Sequence, residues 1–529
     1  MGNYLNFGNK GFQQVLQSEI YVDKTGMIEF LNRRLDTEQR CLCVSRPRRF
    51  GKSVAAKMLT AYYCKECDSS GLFEGLGIAQ MLDYREHLNK YNVIHVDMND
   101  FLLPAKEMGD VAQTTDLFQQ GVIGELKEKY QGVLAENESS LSAALAEIYN
   151  KTEEQFIIII DEWDTLFREA KGHTKAQDRY IDVLRGLFKN LRASGFLKLA
   201  YLTGILPIKK YNIQSAMNNF DEFSMLQPGR MAEYMGFTEE ETRALCERYQ
   251  MEFQEAKDWY DGYSLSRVKH VYNPNSVVKA MLNGEYDTYW TRTETFESLR
   301  GYISLNFEGL KDDILLMLAG GRCYVDTYTF SNDMESFKNK DDVLTVLIHL
   351  GYLAYDSERS EVFIPNEEIK REFQTAVRHA GWDTVVKAVQ ASDQLLRDVW
   401  EGNEAKVAEG IEKVHMENSP ILRYNDENTL CSIITLAFYN AANEYTIMRE
   451  MLSGKGFADM VFIPKKFSDR PAMIIELKVG HSAENAIAQI KERRYDSMIK
   501  EEYDNLLLVG ISYDRKTKVH ECRIEKFAR

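Results

Sequence analysis

Proline is scarce in this 529-residue chain, nine in all, and neither a low-complexity tract nor an internal repeat occurs, so no Pro-rich or repetitive linker marks a domain boundary. Nowhere do about 18 apolar residues run together, the length a membrane-crossing helix needs, and the N-terminus lacks the basic, apolar and small-residue order of a secretory signal. A soluble, cytoplasmic protein without a membrane partner is expected. The eight cysteines are scattered and form no dense framework of the kind that staples small secreted domains, which fits a reducing compartment. Cys64-Lys-Glu-Cys67 has the spacing of half a zinc or redox site, but no second pair or His cluster lies near it in sequence, and the stretch reads as the end of an apolar helix. Positive charge is also short: 65 Lys and Arg stand against 81 Asp and Glu, a net charge of −16. That excludes a protein that coats nucleic acid through bulk electrostatics, although local patches remain open. Residues 421–529 hold 17 basic and 16 acidic side chains, so the acidity lies entirely upstream of them.

What is present is an ordinary globular balance, 44% hydrophobic and 28% charged, in a chain long enough for three or four domains. The first 235 residues alternate short apolar runs (Cys41 to Val44, Val93 to Val96, Phe156 to Ile160, Leu197 to Leu202) with amphipathic stretches, the pattern of a mostly parallel sheet covered by helices. From Gly236 the text becomes helical, opening on Thr238 with Glu241 three residues later, a capping-box start. An apolar helix over Val343 to Leu350, then Gly351-Tyr-Leu, a charged turn and Val362-Phe-Ile-Pro-Asn366 suggest a winged-helix-like unit; residues 385–416 read as polar amphipathic helix, and a new α/β pattern starts near Asp426. The expected architecture is α/β and multidomain: a P-loop α/β domain over 1–235, a helical lid over 236–340, a winged-helix-like unit with a helical linker over 341–425, and a last α/β domain over 426–529.

The strand at Cys41 runs into Ser45-Arg-Pro-Arg-Arg-Phe-Gly-Lys-Ser53 and then into a helix rich in Ala and Leu, the order that a phosphate-binding loop requires. Backbone N–H groups and the positive helix end must face polyphosphate, Lys52 must reach the β- and γ-phosphates, and the Ser53 hydroxyl must ligate Mg²⁺. Arg48, Arg49, Phe50 and Gly51 complete the loop, while Arg46 stands where the generic pattern has its first glycine. The second half of such a site is Phe156-Ile-Ile-Ile-Ile-Asp161-Glu162, a buried strand ending in two carboxylates: Asp161 for the Mg²⁺ shell, Glu162 to orient and deprotonate the attacking water. Thr203, at the tip of another apolar strand, is either a γ-phosphate sensor or a strand-end cap. Arg192 and Arg230 are the candidates for an arginine finger.

Toward the C-terminus, Gly456-Phe-Ala-Asp459-Met-Val-Phe-Ile463 and Ala472-Met-Ile-Ile-Glu476-Leu-Lys478 read as adjacent strands presenting one carboxylate each. Side chains alternate along a strand, so Glu476 and Lys478 face the same way. Asp459 and Glu476 then bind a divalent metal while Lys478 orients or activates water. The next helix carries Ala486, Gln489 and Arg493 on one face, with Gln489 and Arg493 placed to contact the site or a nucleic-acid backbone. Glu427 is either a third carboxylate for the metal or a first-turn helix-dipole residue.

Together these residues resemble bacterial AAA-ATPase-like proteins fused to a PD-(D/E)XK nuclease-superfamily domain. The resemblance runs over nearly the whole chain: Tyr21-Val-Asp-Lys-Thr25, Arg46-Pro-Arg-Arg-Phe-Gly-Lys-Ser53, Asp161-Glu162, Thr203-Gly204, Gly236-Phe-Thr-Glu-Glu240, Tyr272-Asn-Pro274 and the set Asp459, Glu476 and Lys478. It implies that RPRRFGKS is the family's own phosphate loop and that the tail is a restriction-endonuclease-like core, with the helix bearing Gln489 and Tyr495 after the Glu-x-Lys strand. The resemblance also implies ATP and Mg²⁺ as ligands, with Mn²⁺ a further fit at the tail. Two readings of function follow: a nucleotide-regulated nuclease acting on DNA or RNA, or a switch ATPase whose tail only binds nucleic acid or a partner. An oligomer is compatible with both. A protein-remodelling ring is the weaker third, since no aromatic-hydrophobic-Gly pore signature stands out.

Overall fold

Strand β1 (Cys41–Ser45) is buried along its whole length, as are β3 (Phe156–Asp161) and all but one residue of β4 (Leu197–Gly204). Such runs show no polar alternation because both faces of the sheet are covered. Alternate residues enter two different cores: Cys41, Cys43, Ile158, Ile160, Ala200 and Leu202 point to one, and Leu42, Val44, Ile157, Ile159, Leu199 and Tyr201 to the other. With β2 (Asn92–Asp97) and β5 (Asp221–Phe223) these strands form a five-stranded, all-parallel sheet in the order β2-β3-β4-β1-β5. Helix α1 (Lys52–Tyr63) follows β1 and packs on β2, β3 and β4 through the second core. A short helix α2 (Thr165–Glu169) follows β3.

The computed structural model describes residues 2–528 apart from 209–216, 291–293, 306, 319, 329, 331–336, 380–391, 393, 419–429, 431–432, 435–436, 439–440, 442–444, 454–455, 465–469 and 494–504. Glu427, Tyr495 and part of the stretch read as polar helix over 385–416 lie outside the described residues. Contacts group the chain into two units, one of residues 1–290, 325–360 and 365–368, the other of 291–324, 361–364 and 369–529. The sequence suggests four segments; in the fold the start of the helical lid belongs to the same unit as the parallel sheet.

The segment after Gly236 opens on helix α3 (Glu239–Tyr249), where the Thr238 side chain accepts from the Glu241 N–H and Glu241 accepts from the Thr238 N–H, the capping box read from sequence. Lys24, in the Tyr21–Thr25 segment, donates to the Glu241 carboxylate at 2.6 Å and to the Glu233 carbonyl at 2.7 Å. Asn273 caps helix α4 (Pro274–Asn283), with Pro274 at its first position, where a missing N–H costs nothing. The helix expected before the wing is present as α5 (Lys340–Leu350), and short strands follow at Ala354–Asp356 and Glu361–Phe363.

The second unit holds helix α6 (Glu404–Asn418) and a mixed five-stranded sheet of β6 (Tyr445–Ser453), β7 (Gly456–Pro464), β8 (Ala472–Val479), β9 (Asn505–Tyr513) and β10 (His520–Ala528), in that spatial order. The pair β8 and β9 is parallel and the others antiparallel, so β8 and β9 need a crossover, which contains helix α7 (Ala483–Arg493). Ile487 and Ile490 of α7 join Ile474, Leu506 and Leu508 in the core under the sheet. Among the described residues no helix is long and apolar enough to cross a membrane.

Candidate nucleotide and metal sites

In a parallel sheet the C-terminal strand ends gather at one edge, and β1, β2, β3 and β4 bring Ser45, Asp97, Asp161 and Thr203 to it. The loop from β1 to α1 turns through left-handed conformations at Arg49 (φ 70°) and Gly51 (φ 92°), which lets successive N–H groups face one side. Glycine is needed at 51 for its backbone, since an added Cβ would meet nothing within 4 Å. Lys52 is buried at the start of α1, and its ammonium donates to the carbonyls of Arg46 (3.1 Å) and Pro47 (3.0 Å). Burial pulls its pKa down, opposed by the charges of Glu162 and Asp161. Ser53 hydrogen-bonds the Asp161 carboxylate, so the two residues assigned to Mg²⁺ are neighbours. Burial pushes the Asp161 carboxyl up to about 6.

The arginines of the loop do not act as one cluster of charge. Arg46 is fully buried and turned inward, its Nη1 donating to the carbonyls of Ser45 and Phe223, both at 2.8 Å, and burial lowers it to about 10. Arg48 reaches Glu169 at 3.5 Å, and Arg49 is exposed. Phe50 is buried too: its ring lies edge-on to Tyr263, centroids 5.4 Å apart, and next to Gly236, where a Cβ would meet it at 3.4 Å. The Phe50 side chain thus packs on the segment after Gly236, leaving only its backbone to the loop. Pro47 packs so closely on Gly351 that a Cβ there would come within 2.7 Å.

Glu162 adopts a left-handed conformation (φ 50°), uncommon for a residue with a side chain and frequent at functional sites. The bend lets the Trp163 N–H reach the Thr203 carbonyl at 3.1 Å. The Glu162 carboxylate lies 3.9 Å from Lys52 and accepts a short hydrogen bond from Arg168 on α2. Arg168 also holds Asp164 at 3.0 Å, and although burial works against its charge, the carboxylates of Asp164, Glu162 and Glu169 outweigh that and raise its pKa. Asp164 has no solvent exposure and accepts from the N–H groups of Ile205 (3.1 Å) and Leu206 (2.8 Å) just past β4. Sequence reasoning misses Arg168, Asp164 and Asp97, although Arg168 stands four residues after Asp164, the spacing of a helical ion pair. Thr203 is buried and its hydroxyl has no hydrogen-bond partner among the described residues. Arg192 and Arg230 are both exposed, and Arg192 lies before the start of β4, at the opposite end of that strand from Thr203. The arginine beside Glu162 is Arg168.

In the second unit the register Met460↔Ile475 sets Asp459 across from Glu476. The Asp459 carboxylate accepts from the Leu477 N–H at 2.7 Å. Lys478 lies on the same face as Glu476, Nζ to Oε1 3.2 Å, while Leu477 is buried on the other. Gln489 of α7 donates to the same Glu476 oxygen, so its side chain is directed at the carboxylate. Arg493 is the exposed last residue of α7, and Ala486 packs against Gly510. The Glu476 side chain is 1% exposed, and burial, then the charge of Asp459, pushes its carboxyl up to about 7. Its Oε2 is buried with no hydrogen-bond partner among the described residues.

Residues 6–214 match the family model described as predicted AAA-ATPase, and residues 425–522 match that of the PD-(D/E)XK nuclease superfamily. The chain contains an AAA-ATPase-like domain and a PD-(D/E)XK nuclease-superfamily domain. The two matched segments contain, respectively, the Lys52, Asp161 and Glu162 site and the Asp459, Glu476 and Lys478 site. No curated protein matches the sequence. Solved structures similar to this chain include the ORC2 protein of Aeropyrum pernix in ADPNP-ADP complexes (11% identity, 69% of this chain and 97% of that one, TM-score 0.35) and Cdc6p of Pyrobaculum aerophilum (11%, 68% and 97%, TM-score 0.26). AMPPCP-bound DnaA of Aquifex aeolicus matches at 10% identity over 69% and 90%, with a TM-score of 0.22. Scores this low add nothing to the argument from the site residues.

Proposed function

We propose that this AAA-ATPase-like protein binds and hydrolyses ATP at the loop of β1 and uses the β7 and β8 carboxylates for divalent-metal-dependent cleavage of nucleic acid. The observation that carries the second half is that half-buried Asp459 stands across from buried Glu476, whose Oε2 has no hydrogen-bond partner among the described residues, beside an ammonium and an amide from Lys478 and Gln489. Two carboxylates on neighbouring strands are a hard, all-oxygen donor set that suits Mg²⁺ or Mn²⁺. A metal held there would supply Lewis-acid stabilisation of the phosphodiester and a more acidic bound water. Lys478 is placed to orient that water and offset the charge that develops at phosphorus, and Gln489 fixes the Glu476 carboxylate. Arg493 is assigned to the nucleic-acid backbone.

In the first domain, the Arg48–Ser53 loop and the α1 N-terminus take the phosphates, Lys52 the β- and γ-phosphates, and Ser53 with Asp161 a Mg²⁺ ion; the Thr203 hydroxyl at the β4 tip, without a hydrogen-bond partner among the described residues, fits a γ-phosphate contact. Glu162 is the base for the attacking water. On this reading the protein is cytoplasmic and its nucleotide state controls cleavage, while the acidic body, with its near-neutral tail, leaves nucleic-acid contact to the C-terminal domain. The test is cleavage of supercoiled and single-stranded DNA and of RNA by the purified protein with Mg²⁺ or Mn²⁺, with and without ATP, beside Asp459→Ala and Lys52→Ala. Cleavage lost in Asp459→Ala and altered in its ATP response by Lys52→Ala is expected. If ATP binds and no substrate is cut, the tail is a binding module and the protein a switch ATPase.

A further inference from the structure

Of the eight cysteines, Cys64 and Cys67 differ from the other described ones in position and surroundings. Cys41, Cys43, Cys246 and Cys323 are each buried, and Cys522 is half-buried on β10. Cys64 is the cap residue that ends α1, and a two-residue turn, Lys65 and Glu66, separates it from Cys67. A turn of this span brings its end Cα atoms to within about 7 Å, and a disulfide needs roughly 4.4–6.8 Å. The turn is fixed on both sides: the Cys64 N–H bonds the Thr60 carbonyl, the Lys65 N–H the Tyr91 carbonyl, and Asn89 donates to the Cys64 carbonyl at 2.7 Å. The Cys67 sulfur lies 3.5 Å from the Cys64 carbonyl oxygen, and the two thiols are in hydrogen-bonding reach of each other.

The pair is also asymmetric. Cys64 has no exposure, and the backbone N–H groups of Gly8 and Glu66 point to its sulfur. Cys67 is partly exposed, with the Ser69 hydroxyl at 3.6 Å and the Asn89 amide at 3.7 Å from its sulfur. The hydrogen bonds from the partner thiol and the backbone outweigh burial and lower the Cys64 thiol to about 7. A zinc site is the competing use of this spacing, but among the described residues no group of three or more His, Cys, Asp or Glu side chains could hold a metal.

We propose that Cys64 and Cys67 form a redox-active dithiol that closes to an intramolecular disulfide by exchange with small disulfides of the glutathione class. Cys67, the outer sulfur, passes its proton to the Cys64 thiolate that it hydrogen-bonds and attacks one sulfur of the small disulfide; one small thiolate leaves, and a mixed disulfide forms at Cys67. The sheltered Cys64 thiolate then attacks the Cys67 sulfur and expels the second small thiolate. Two protein thiols are oxidised, one small disulfide is reduced to two thiols, and the two protein protons pass to the departing thiolates or to solvent. Lys52 opens α1 and Tyr63 closes it, one residue before Cys64; at about 1.5 Å per residue this sets the dithiol on the order of 18 Å from the phosphate loop. The reaction is therefore read on the sulfurs themselves and does not depend on the proposed ATPase or nuclease.

The experiment incubates the native full-length protein with oxidised glutathione, quenches with acid, alkylates, and maps tryptic peptides. Cleavage after Lys65 separates the two cysteines, so a bond between them appears as two linked peptides. The expected result is loss of both alkylatable thiols at Cys64 and Cys67, linked peptides reversed by excess reduced glutathione, and a trapped glutathione adduct on Cys67 in Cys64→Ser. Both thiols remaining free under excess oxidised glutathione would overturn the proposal. So would a glutathione adduct that persists on Cys67 of the unmodified protein without forming the internal bond, or stoichiometric zinc in the purified protein that is lost in Cys67→Ser.

Discussion

Replacing Glu476 by Gln separates what this residue costs the fold from what it gives a metal. Its carboxyl sits at about 7 in the fold against an ordinary 4.5, because burial and the Asp459 charge outweigh Lys478 and the hydrogen bonds. Below pH 4.5 both folded and unfolded chains hold the proton and the residue contributes nothing to pH dependence. Between 4.5 and about 7 the unfolded chain loses the proton while the fold keeps it, so stability falls as pH rises. Above pH 7 the loss levels off at about 3 kcal/mol, from the gap between 4.5 and about 7 at roughly 1.4 kcal/mol per pH unit. Glu476→Gln cannot ionise, and its carbonyl still accepts from Gln489, so with a chelator present it is expected to be as stable as the parent at pH 4.5 and more stable by up to about 3 kcal/mol at pH 8. Hydrogen exchange of the 472–479 segment, read by mass spectrometry across that range, measures this on the strand itself. Adding Mg²⁺ or Mn²⁺ to a thousandfold excess over Kd reverses the ranking: the ionised parent gains about 4.1 kcal/mol of protection and the variant gains none. Identical pH profiles for the two proteins in chelator, or equal protection of both by metal, would refute the reasoning.

Arg168→Ala leaves the unexposed Asp164 carboxylate with a charge held, among the described residues, by two N–H groups, and a loss of roughly 3–5 kcal/mol in denaturant unfolding of the first unit is expected. Asp164→Asn in the same chain should recover part of it, since an amide oxygen still accepts from Ile205 and Leu206 without a charge; no recovery would show that the cost lies elsewhere. Gly204→Ala would set a Cβ at 2.5 Å from the Asp164 carboxylate and 2.8 Å from the Trp163 ring, and a drop of about 1–3 kcal/mol measured by thermal unfolding is expected.

How far the sequence can be read depends on how local the cause is. The buried strands are legible because a sheet covered on both faces leaves an uninterrupted apolar run, and the phosphate loop because Gly-Lys-Ser follows one such run and Asp-Glu ends another. The Thr238–Glu241 box and the shared face of Glu476 and Lys478 rest on spacing alone and are legible for the same reason. The fates of Arg46 and Phe50 are not, because they are set by Phe223, Gly236 and Tyr263, far away in sequence. A loop rich in Arg reads as a phosphate cradle until a distant carbonyl is seen to take one guanidinium inward. Periodicity puts Gln489 on the correct helix face, but its partner is the Glu476 carboxylate on the preceding strand.

The Thr203-Gly204 pair, in sequence a strand tip with a sensor hydroxyl, is explained better by what Asp164 does. Gly204 is small because Asp164 and Trp163 occupy the space where its side chain would be. Asp164 is there because the backbone N–H groups after β4 need an acceptor in a buried site, and Arg168 balances the charge this buries. The same guanidinium holds Glu162, while the Trp163 N–H bonds the Thr203 carbonyl. The end of β4 and the Glu162 carboxylate are therefore joined by two routes within a few residues. In the proposed ATPase, a displacement of Thr203 toward or away from a phosphate would reach Glu162 through backbone and side chain together. Asparagine at 164 would keep the N–H contacts and weaken only the ionic route, so in Asp164→Asn the ATPase rate should change more than the affinity for ATP. Equal changes in both would mean that Asp164 only holds the fold and does not position Glu162.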